Sequence, residues 1–287
     1  MAERIVAING VDLCVETFGE PTDPAVLLIA GAAQSMDAWE VPFCARLAAE
    51  GRFVIRYDHR DTGRSRASPA GKPTYTEDDL TTDPLRVLDA LGLAAAHLVG
   101  VSMGGGISQQ LAATSRDRVL TATLIATSPA GERAGHGRLP SMEPRIAEAF
   151  EHPAPEPNWS DREAVVTYLV EAERPFAGSL GLDEERARRI AGIVVDRTVD
   201  IAASVTNHWL LAGDSSDPFR MADIHVPTLV MHGTTDPVFP FAHGEALAAE
   251  IPGATLIPLK GMGHEIPPPP LWDVVVAAIA KHTATRG

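Results

Sequence analysis

The order of apolar and polar positions along the chain predicts alternating strands and helices. Short apolar runs without polar alternation indicate strands that are covered on both faces, as in a parallel sheet. These runs span residues 25–30, 53–57, 97–99, 120–126 and 227–232. Helical spacing of apolar residues predicts helices between them, over about 39–50, before Leu91 and over 105–113. This alternation predicts an α/β fold with a mostly parallel sheet and flanking helices.

Further elements are predicted at both ends of the chain. Residues 4–8 and 11–18 favour strands, and Asn9-Gly10 between them allows a tight antiparallel hairpin. In the helix that ends near Leu91, Pro84 cannot donate to the helical ladder, so we expect it to mark the first turn. A helix near 241–251, a strand at 254–258 and a helix at 271–282 complete the alternation.

A segment of different character separates the strands at 120–126 and 227–232. Prolines at positions 153, 155 and 157 break it, and Ser160 with Glu163 matches a capping box. The residues Ala187, Ile190, Ala191 and Val194 share one helical face. We therefore predict a helical segment over residues 131–225, inserted into a discontinuous core of residues 1–130 and 226–287.

Composition and charge narrow the classes of function. The 287 residues carry a net charge of −14, which opposes binding to a phosphate backbone or an anionic membrane. No export signal or uninterrupted apolar span is present, so we expect a cytoplasmic protein. Cys14 and Cys44 lack metal-ligand spacing and are expected to be buried thiols. We predict neither a metal nor a cofactor, and no nucleic-acid or membrane partner.

The clearest chemical motif is Gly100-Val101-Ser102-Met103-Gly104, which follows a predicted strand and precedes a predicted helix. A serine on such a sharp turn projects its hydroxyl above the sheet, and small neighbours let the backbone pack closely. A small-residue turn with an incidental serine is the alternative. The strand and helix flanks favour Ser102 as a nucleophile.

A serine nucleophile needs a base to take its proton and an acid to orient that base. His264, in Gly261-Met262-Gly263-His264, lies in a late loop after the last predicted strand, where the chain order Ser, acid, His places the base. Asp236 follows the preceding strand and is the predicted acid. The competing histidines are His232, His243 and His282, and the competing acids, more typical of turns, are Asp214 and Asp217.

The oxyanion of a tetrahedral intermediate needs two backbone N–H donors. Met103 follows the nucleophile and Ala32 lies in the loop after the third strand, so these two positions are predicted to supply them. A packing loop of small residues explains the segment around Ala32 equally well. The polar stretch 58–65 is interpreted as a structural loop held through Arg60 and Asp61.

The serine, aspartate and histidine motifs, in this order along the chain, resemble those of α/β-hydrolases. The resemblance extends over essentially the whole chain. The stretches 56–65, 101–104 and 261–264 also resemble the aclacinomycin methylesterase family, which demethylates a carboxymethyl ester on an anthracycline polyketide. The resemblance implies a triad of Ser102, Asp236 and His264, oxyanion donors at Ala32 and Met103, and a helical cap. One departure is Ala30-Gly31, where many relatives have His-Gly.

These expectations describe a cofactor-independent serine esterase with an acyl-enzyme, acting on a small, largely apolar ester such as a methyl ester of a polycyclic secondary metabolite. A lactonase, a carbon–carbon bond hydrolase or a perhydrolase could use the same triad. A slow ligand receptor on a hydrolase scaffold is a further alternative. Four aromatic residues of the inserted segment either line a substrate pocket or pack against the core: Trp159, Phe176, Trp209 and Phe219.

Overall fold

The structure, a computed structural model, describes residues 3–8, 10–134, 137–211 and 218–284. Within these ranges one sheet of eight strands has the order β1-β2-β4-β3-β5-β6-β7-β8. The strands are β1 (Arg4–Ile8), β2 (Val11–Phe18), β3 (Ala25–Ile29), β4 (Phe53–Tyr57), β5 (Ala96–Val101), β6 (Val119–Ile125), β7 (Thr228–Gly233) and β8 (Thr255–Leu259). The β1–β2 and β2–β4 pairs are antiparallel and the other pairs are parallel. The predicted mostly parallel sheet with an antiparallel start is confirmed.

Helices cover both faces of the sheet. In chain order, the helices of the described residues are α1 (Val41–Ala49), α2 (Glu77–Ala90), α3 (Met103–Thr114), α4 (Pro144–Glu151), α5 (Arg162–Glu173), α6 (Glu184–Arg197), α7 (Ile201–Thr206), α8 (Ala242–Glu250) and α9 (Trp272–His282), of which α1, α2, α3, α8 and α9 pack on the sheet. Apolar residues of α2, α3 and α8 join one core cluster, and those of α1 and α9 join another. Along β3, Leu27 belongs to the first cluster and Leu28 to the second, which explains why the central strands lack polar alternation.

Helix α2 begins earlier than the sequence pattern predicts. It starts at Glu77, and Pro84 lies inside it rather than in its first turn. Thr76 and Asp79 form a reciprocal capping box, and acidic residues in the first turn favour the helix dipole. The carboxylate of Asp83, just before the proline, is fully buried and forms an ion pair with Arg60. Capping and burial of this ion pair therefore hold the first turns although Pro84 removes one hydrogen bond.

The capping signal of α5 lies one residue later than predicted. The N-cap is Asp161, whose side chain accepts the amides of Glu163 and Ala164. Ser160 is exposed and precedes the cap. An aspartate next to a serine satisfies the same backbone donors equally well, so the sequence spacing alone does not separate the two positions.

Helices α4 to α7 lie between β6 and β7 in the chain, as predicted for an inserted helical segment. Helices α5 and α6 pack on each other through Val166, Val170 and Ala191. Ion pairs join α6 to the sheet side of the molecule: Arg197 contacts the buried Asp58 at 2.8 Å, and Arg186 contacts Glu40 at 2.7 Å.

Cys14 and Cys44 are buried free thiols, as predicted. Burial raises the pKa of each thiol to about 12, so both stay protonated at neutral pH. Across the described ranges, every helix is too short or too polar to cross a membrane.

Candidate active site

Ser102 lies on the sharp turn between β5 and α3. Its backbone has φ 52° and ψ −116°, a left-handed conformation that strains any residue with a Cβ. Two hydrogen bonds hold it: its N–H donates to the Ile125 carbonyl at 3.0 Å, and its own carbonyl accepts the Thr127 hydroxyl at 2.9 Å. The strained backbone conformation of Ser102 is therefore stabilised by hydrogen bonds to β6 and to the residues that follow it.

The glycines of the motif have steric reasons. A Cβ at Gly104 would lie 2.6 Å from the Ala30 carbonyl oxygen, and one at Gly100 would lie 2.6 Å from the Ser108 hydroxyl. Real Cβ atoms essentially never approach so closely. The small residues on both sides of Ser102 are thus required for the turn to pack against β3 and α3.

Three of the predicted site residues form one hydrogen-bonded chain. His264 Nε2 lies 2.9 Å from Ser102 Oγ, and His264 Nδ1 lies 3.0 Å from Asp236 Oδ2. Because the carboxylate can only accept, Nδ1 carries the imidazole proton and Nε2 accepts the serine hydroxyl. Asp236 is only 3% exposed, and its Oδ1 accepts the amides of Val238 and Phe239 at 2.9 Å each. These bonds fix the carboxylate so that Oδ2 faces the imidazole.

Each competing histidine has a hydrogen-bond partner other than Ser102. His232 Nε2 lies 2.7 Å from the Phe239 carbonyl and 3.7 Å from Asp236 Oδ2, which is farther than the 3.0 Å of His264 Nδ1. Burial lowers the pKa of the His232 imidazole. His243 contacts the Ser128 hydroxyl, and the half-buried His282 contacts the Pro227 carbonyl. The alternative acids, Asp214 and Asp217, lie outside the described residues.

The loop after β3 leaves one amide free. The Gly31 N–H donates to Gln34 Oε1 at 3.1 Å, the Gln34 N–H to the Gly31 carbonyl at 3.3 Å, and the Ala33 N–H to His208 Nδ1 at 2.9 Å. Of these four consecutive amides, only that of Ala32 has no acceptor among residues the structure describes. A backbone donor is therefore available at this position.

This loop adjoins the serine. A Cβ placed on Gly31 would lie 3.6 Å from the Ser102 Cβ, an ordinary van der Waals distance. Met103 is the first residue of α3, and amides in the first turn of a helix have no acceptor within the helix. The two predicted donor positions, Ala32 and Met103, thus belong to segments on either side of Ser102.

The stretch 58–65 has the structural contacts that were predicted for it. Arg60 forms a bidentate pair with Asp83 at 2.7 and 2.9 Å, and Asp61 accepts the Tyr75 hydroxyl at 2.8 Å. His59 is buried and lies 3.2 Å from the Ala30 carbonyl. Burial, with the neighbouring His208, lowers the pKa of His59 to about 3, so its ring is neutral.

Aromatic side chains extend from His264 across the inserted segment. The ring centroids of Phe176 and His264 are 6.2 Å apart, those of Phe150 and Phe176 are 6.1 Å apart, and those of Phe150 and Trp209 are 6.0 Å apart. Phe150 is 46% and Trp209 59% exposed, although both are large apolar side chains. We call Phe150, Phe176 and Trp209 the aromatic row.

The other two aromatic candidates pack internally. Trp159 lies against Tyr168 of α5, and Phe219 belongs to the core cluster under α3. Phe150 and His208 were not predicted from the sequence. Their partners are distant in the chain, His208 being 175 residues from Ala33, and no local pattern marks such contacts.

No metal centre accompanies this arrangement in the described ranges, where no three His, Cys, Asp or Glu side chains converge in a way that could hold an ion. The groups available for chemistry are a hydroxyl, an imidazole, a carboxylate and free backbone amides. Together they suit nucleophilic attack on a carbonyl carbon, with proton transfer through the imidazole.

Comparisons with known proteins identify the family. The family model for the alpha/beta hydrolase fold matches residues 24–268. The rhodomycin D methylesterase DauP of Streptomyces sp. (strain C5) is 34% identical, over 99% of this chain and 98% of the relative. The rhodomycin D methylesterase DnrP of Streptomyces peucetius is 32% identical with the same coverage.

A solved structure gives the same answer for the fold. The enol-lactonase from Burkholderia xenovorans LB400 superimposes with a TM-score of 0.71 at 26% identity, covering 98% of this chain and 100% of that one. The resemblance predicted from the motifs is confirmed. The chain belongs to the alpha/beta hydrolase fold family.

Proposed function

We propose that the protein is a carboxylic ester hydrolase in which Ser102 is the nucleophile, His264 the general base and Asp236 the residue that orients it. The observation that carries this proposal is the continuous chain of hydrogen bonds, 2.9 Å from Ser102 to His264 and 3.0 Å from His264 to Asp236. These side chains follow three different strands, and such convergence has a direct chemical use in acyl transfer.

In the first half of the reaction, Ser102 Oγ attacks the ester carbonyl carbon while its proton moves to His264 Nε2. The imidazolium is stabilised by the carboxylate of Asp236, and the oxyanion accepts the amides of Ala32 and Met103. The bond from the carbonyl carbon to the alkoxy oxygen then breaks. His264 returns the proton to that oxygen, so an alcohol leaves and an acyl-serine remains.

In the second half, water repeats the attack on the acyl-serine. His264 takes a proton from the water, the oxyanion again accepts the two amides, and the bond to Ser102 Oγ breaks. The proton returns to the serine oxygen. One water is consumed and one acid is released, and the enzyme returns to its starting state without a cofactor.

The substrate class that we propose is the methyl ester of a polycyclic aromatic polyketide. Two relatives that match over nearly their whole length are named rhodomycin D methylesterases. The aromatic row beside His264, with Phe150 and Trp209 exposed and Phe176 half-buried, offers apolar ring faces against which fused rings can pack. The acidic net charge of −14 also favours a substrate that is not a polyanion.

The inserted segment then acts as a substrate-selecting cap. We propose that residues 131–225 form this cap and that residues 1–130 and 226–287 form the hydrolase core. The His264 amide donates to the Phe176 carbonyl at 2.9 Å, so the cap segment packs directly on the loop that carries the base.

We further propose a cytoplasmic location.

The experiment is hydrolysis of such a methyl ester in ¹⁸O-water, with mass spectrometry of both products. We expect equal amounts of methanol and acid, with one ¹⁸O in the acid and none in the methanol. Ser102→Ala should abolish the reaction. Hydrolysis of a matched lactone but not of the methyl ester, or tight binding without turnover, would contradict the proposal.

A further inference from the structure

His208 connects the cap segment to the loop after β3. It lies in the short helix Asn207–Leu210, yet its ring is buried, with 8% of the residue exposed. Its Nε2 lies 2.9 Å from the Arg60 carbonyl and its Nδ1 lies 2.9 Å from the Ala33 amide. A carbonyl can only accept and an amide can only donate, so the ring is neutral with its proton on Nε2.

The conformation of the loop depends on this acceptor. Ala33 has φ 60°, in the left-handed region that is sterically unfavourable for an alanine. The Ala33 amide is satisfied by His208, while the amide of Ala32 has no acceptor among the residues that the structure describes. At the start of the loop, His59 Nε2 lies 3.2 Å from the Ala30 carbonyl. Two buried imidazoles, whose ring centroids are 5.8 Å apart, therefore contact this loop.

We propose that His208 is a positioning residue for the oxyanion hole, which it holds in its active shape by accepting the amide of Ala33 so that the amide of Ala32 faces the reacting carbonyl. This inference rests on the proposed function. His208 does not touch the substrate. Because it belongs to the inserted segment, the oxyanion hole is complete only when that segment is seated on the loop.

The surroundings of His208 favour the neutral ring. The titratable groups that face it are His59, with ring centroids 5.8 Å apart, Tyr75 at 6.3 Å, and Asp61. Arg60 contributes its carbonyl. Burial lowers the pKa of His208, although the Arg60 carbonyl and Asp61 oppose that shift. A protonated ring would present Nδ1–H to the Ala33 N–H and lose the bond.

Two near-isosteric variants separate the two hydrogen bonds of the ring. In His208→Asn, the amide oxygen can occupy the place of Nδ1 and accept from Ala33, but the donor to Arg60 is lost. In His208→Gln, the amide nitrogen can reach the place of Nε2 and donate to Arg60, but the acceptor for Ala33 is lost. The pair therefore tests the loop contact at similar cost in packing.

For the wild-type protein and each variant, the experiment measures kcat and KM for ester hydrolysis, the rate of labelling by a fluorophosphonate, and Tm. We expect His208→Gln to lose about ten- to a hundredfold in kcat and in labelling rate, with KM within about threefold. His208→Asn should retain most of both rates. If the Gln variant does not fold, a loss in kcat above about tenfold in a folded Asn variant overturns the inference.

Equal losses in both variants that follow the fall in Tm would show that His208 has only a structural role, and a fully active His208→Gln would also overturn the inference. Failure of the proposed function is recognised separately. In that case Ser102→Ala would keep the activity of the wild-type protein, whatever happens at position 208.

Discussion

Gly104 packs on the backbone of Ile29 so closely that a Cβ at position 104 would overlap the Ile29 carbonyl oxygen. Two residues along the same helix, a Cβ at Gly106 would meet only the Ala130 Cβ, at 3.8 Å. We therefore expect Gly104→Ala to destabilise the protein by about 1–3 kcal/mol and to remove most activity. Gly106→Ala should stabilise it by about 0.5–1 kcal/mol and keep activity.

Urea unfolding and ester turnover of both variants give the comparison. The two substitutions are chemically identical and lie on one helix, so a difference between them reports the packing of the turn that carries Ser102. Equal behaviour of the two variants would contradict this account of the motif.

The pH dependence of stability follows from buried neutral histidines. Burial lowers the pKa of His59 to about 3 and that of His97 to about 4, from an ordinary value of 6.5. Below pH 6.5 these histidines bind protons in the unfolded chain but stay neutral in the folded protein, so the free energy of unfolding falls with decreasing pH. Each such imidazole adds up to about 1.4 kcal/mol per pH unit to the slope of that fall, and it adds nothing to the slope above pH 6.5.

Urea unfolding between pH 5 and 8 tests this, with His97→Gln as the comparison because His97 contacts Thr121 far from Ser102. The variant should show a shallower fall below pH 6.5 than the wild-type protein. Identical slopes in the two proteins, or stability that increases on acidification, would be inconsistent with buried neutral rings.

The ion pair of Arg197 with Asp58 joins the inserted segment to the sheet in a nearly dry environment, with side-chain exposures of 9% and 0%. Arg197→Met leaves Asp58 buried without its main partner, so we expect a loss of about 3–5 kcal/mol in unfolding free energy. Arg162→Met removes an exposed pair with Asp196 that joins α5 to α6, and we expect little change in the free energy of unfolding. Thermal unfolding distinguishes the two, and a harmless Arg197→Met would show that the buried pair does not hold this segment.

The aromatic row predicts a specificity effect. Trp209→Ala should raise KM for a polycyclic methyl ester about three- to tenfold while leaving turnover of p-nitrophenyl acetate nearly unchanged, since the small ester reaches no stacking surface. Trp159→Ala is the matched control, because Trp159 packs on Tyr168 instead. An equal effect of both variants on the large ester would argue against the row as a binding surface.

Most of the fold could be predicted because strands and helices leave local patterns. The continuous apolar runs of β3 and β4 identify them as central strands, and the Gly100–Gly104 motif locates the turn between β5 and α3. Helix α2 was predicted to start too late, because its first turns depend on the capping box of Thr76 and on burial of Asp83. The low helical propensity of Pro84 points to a helix start near that residue, and it gives no information about these two contacts.

At the site, the three side chains could be chosen by chain order and loop position, whereas the support around them could not. The contacts of His208 with Ala33 and of Phe150 with Trp209 join parts of the chain that no local spacing relates. Such contacts arise from tertiary packing, so they become visible only when the loops and helices are placed in space.

The central claim is that Ser102 is the nucleophile, and the most direct measurement is the intact mass of the protein after reaction with a fluorophosphonate, followed by peptide mapping. We expect one adduct per chain, located on Ser102, and no adduct on Ser102→Ala when its Tm is unchanged. His264→Ala should slow labelling of the wild-type position by about 10³-fold or more. An adduct on another residue, or labelling of Ser102→Ala at the wild-type rate, would contradict the account.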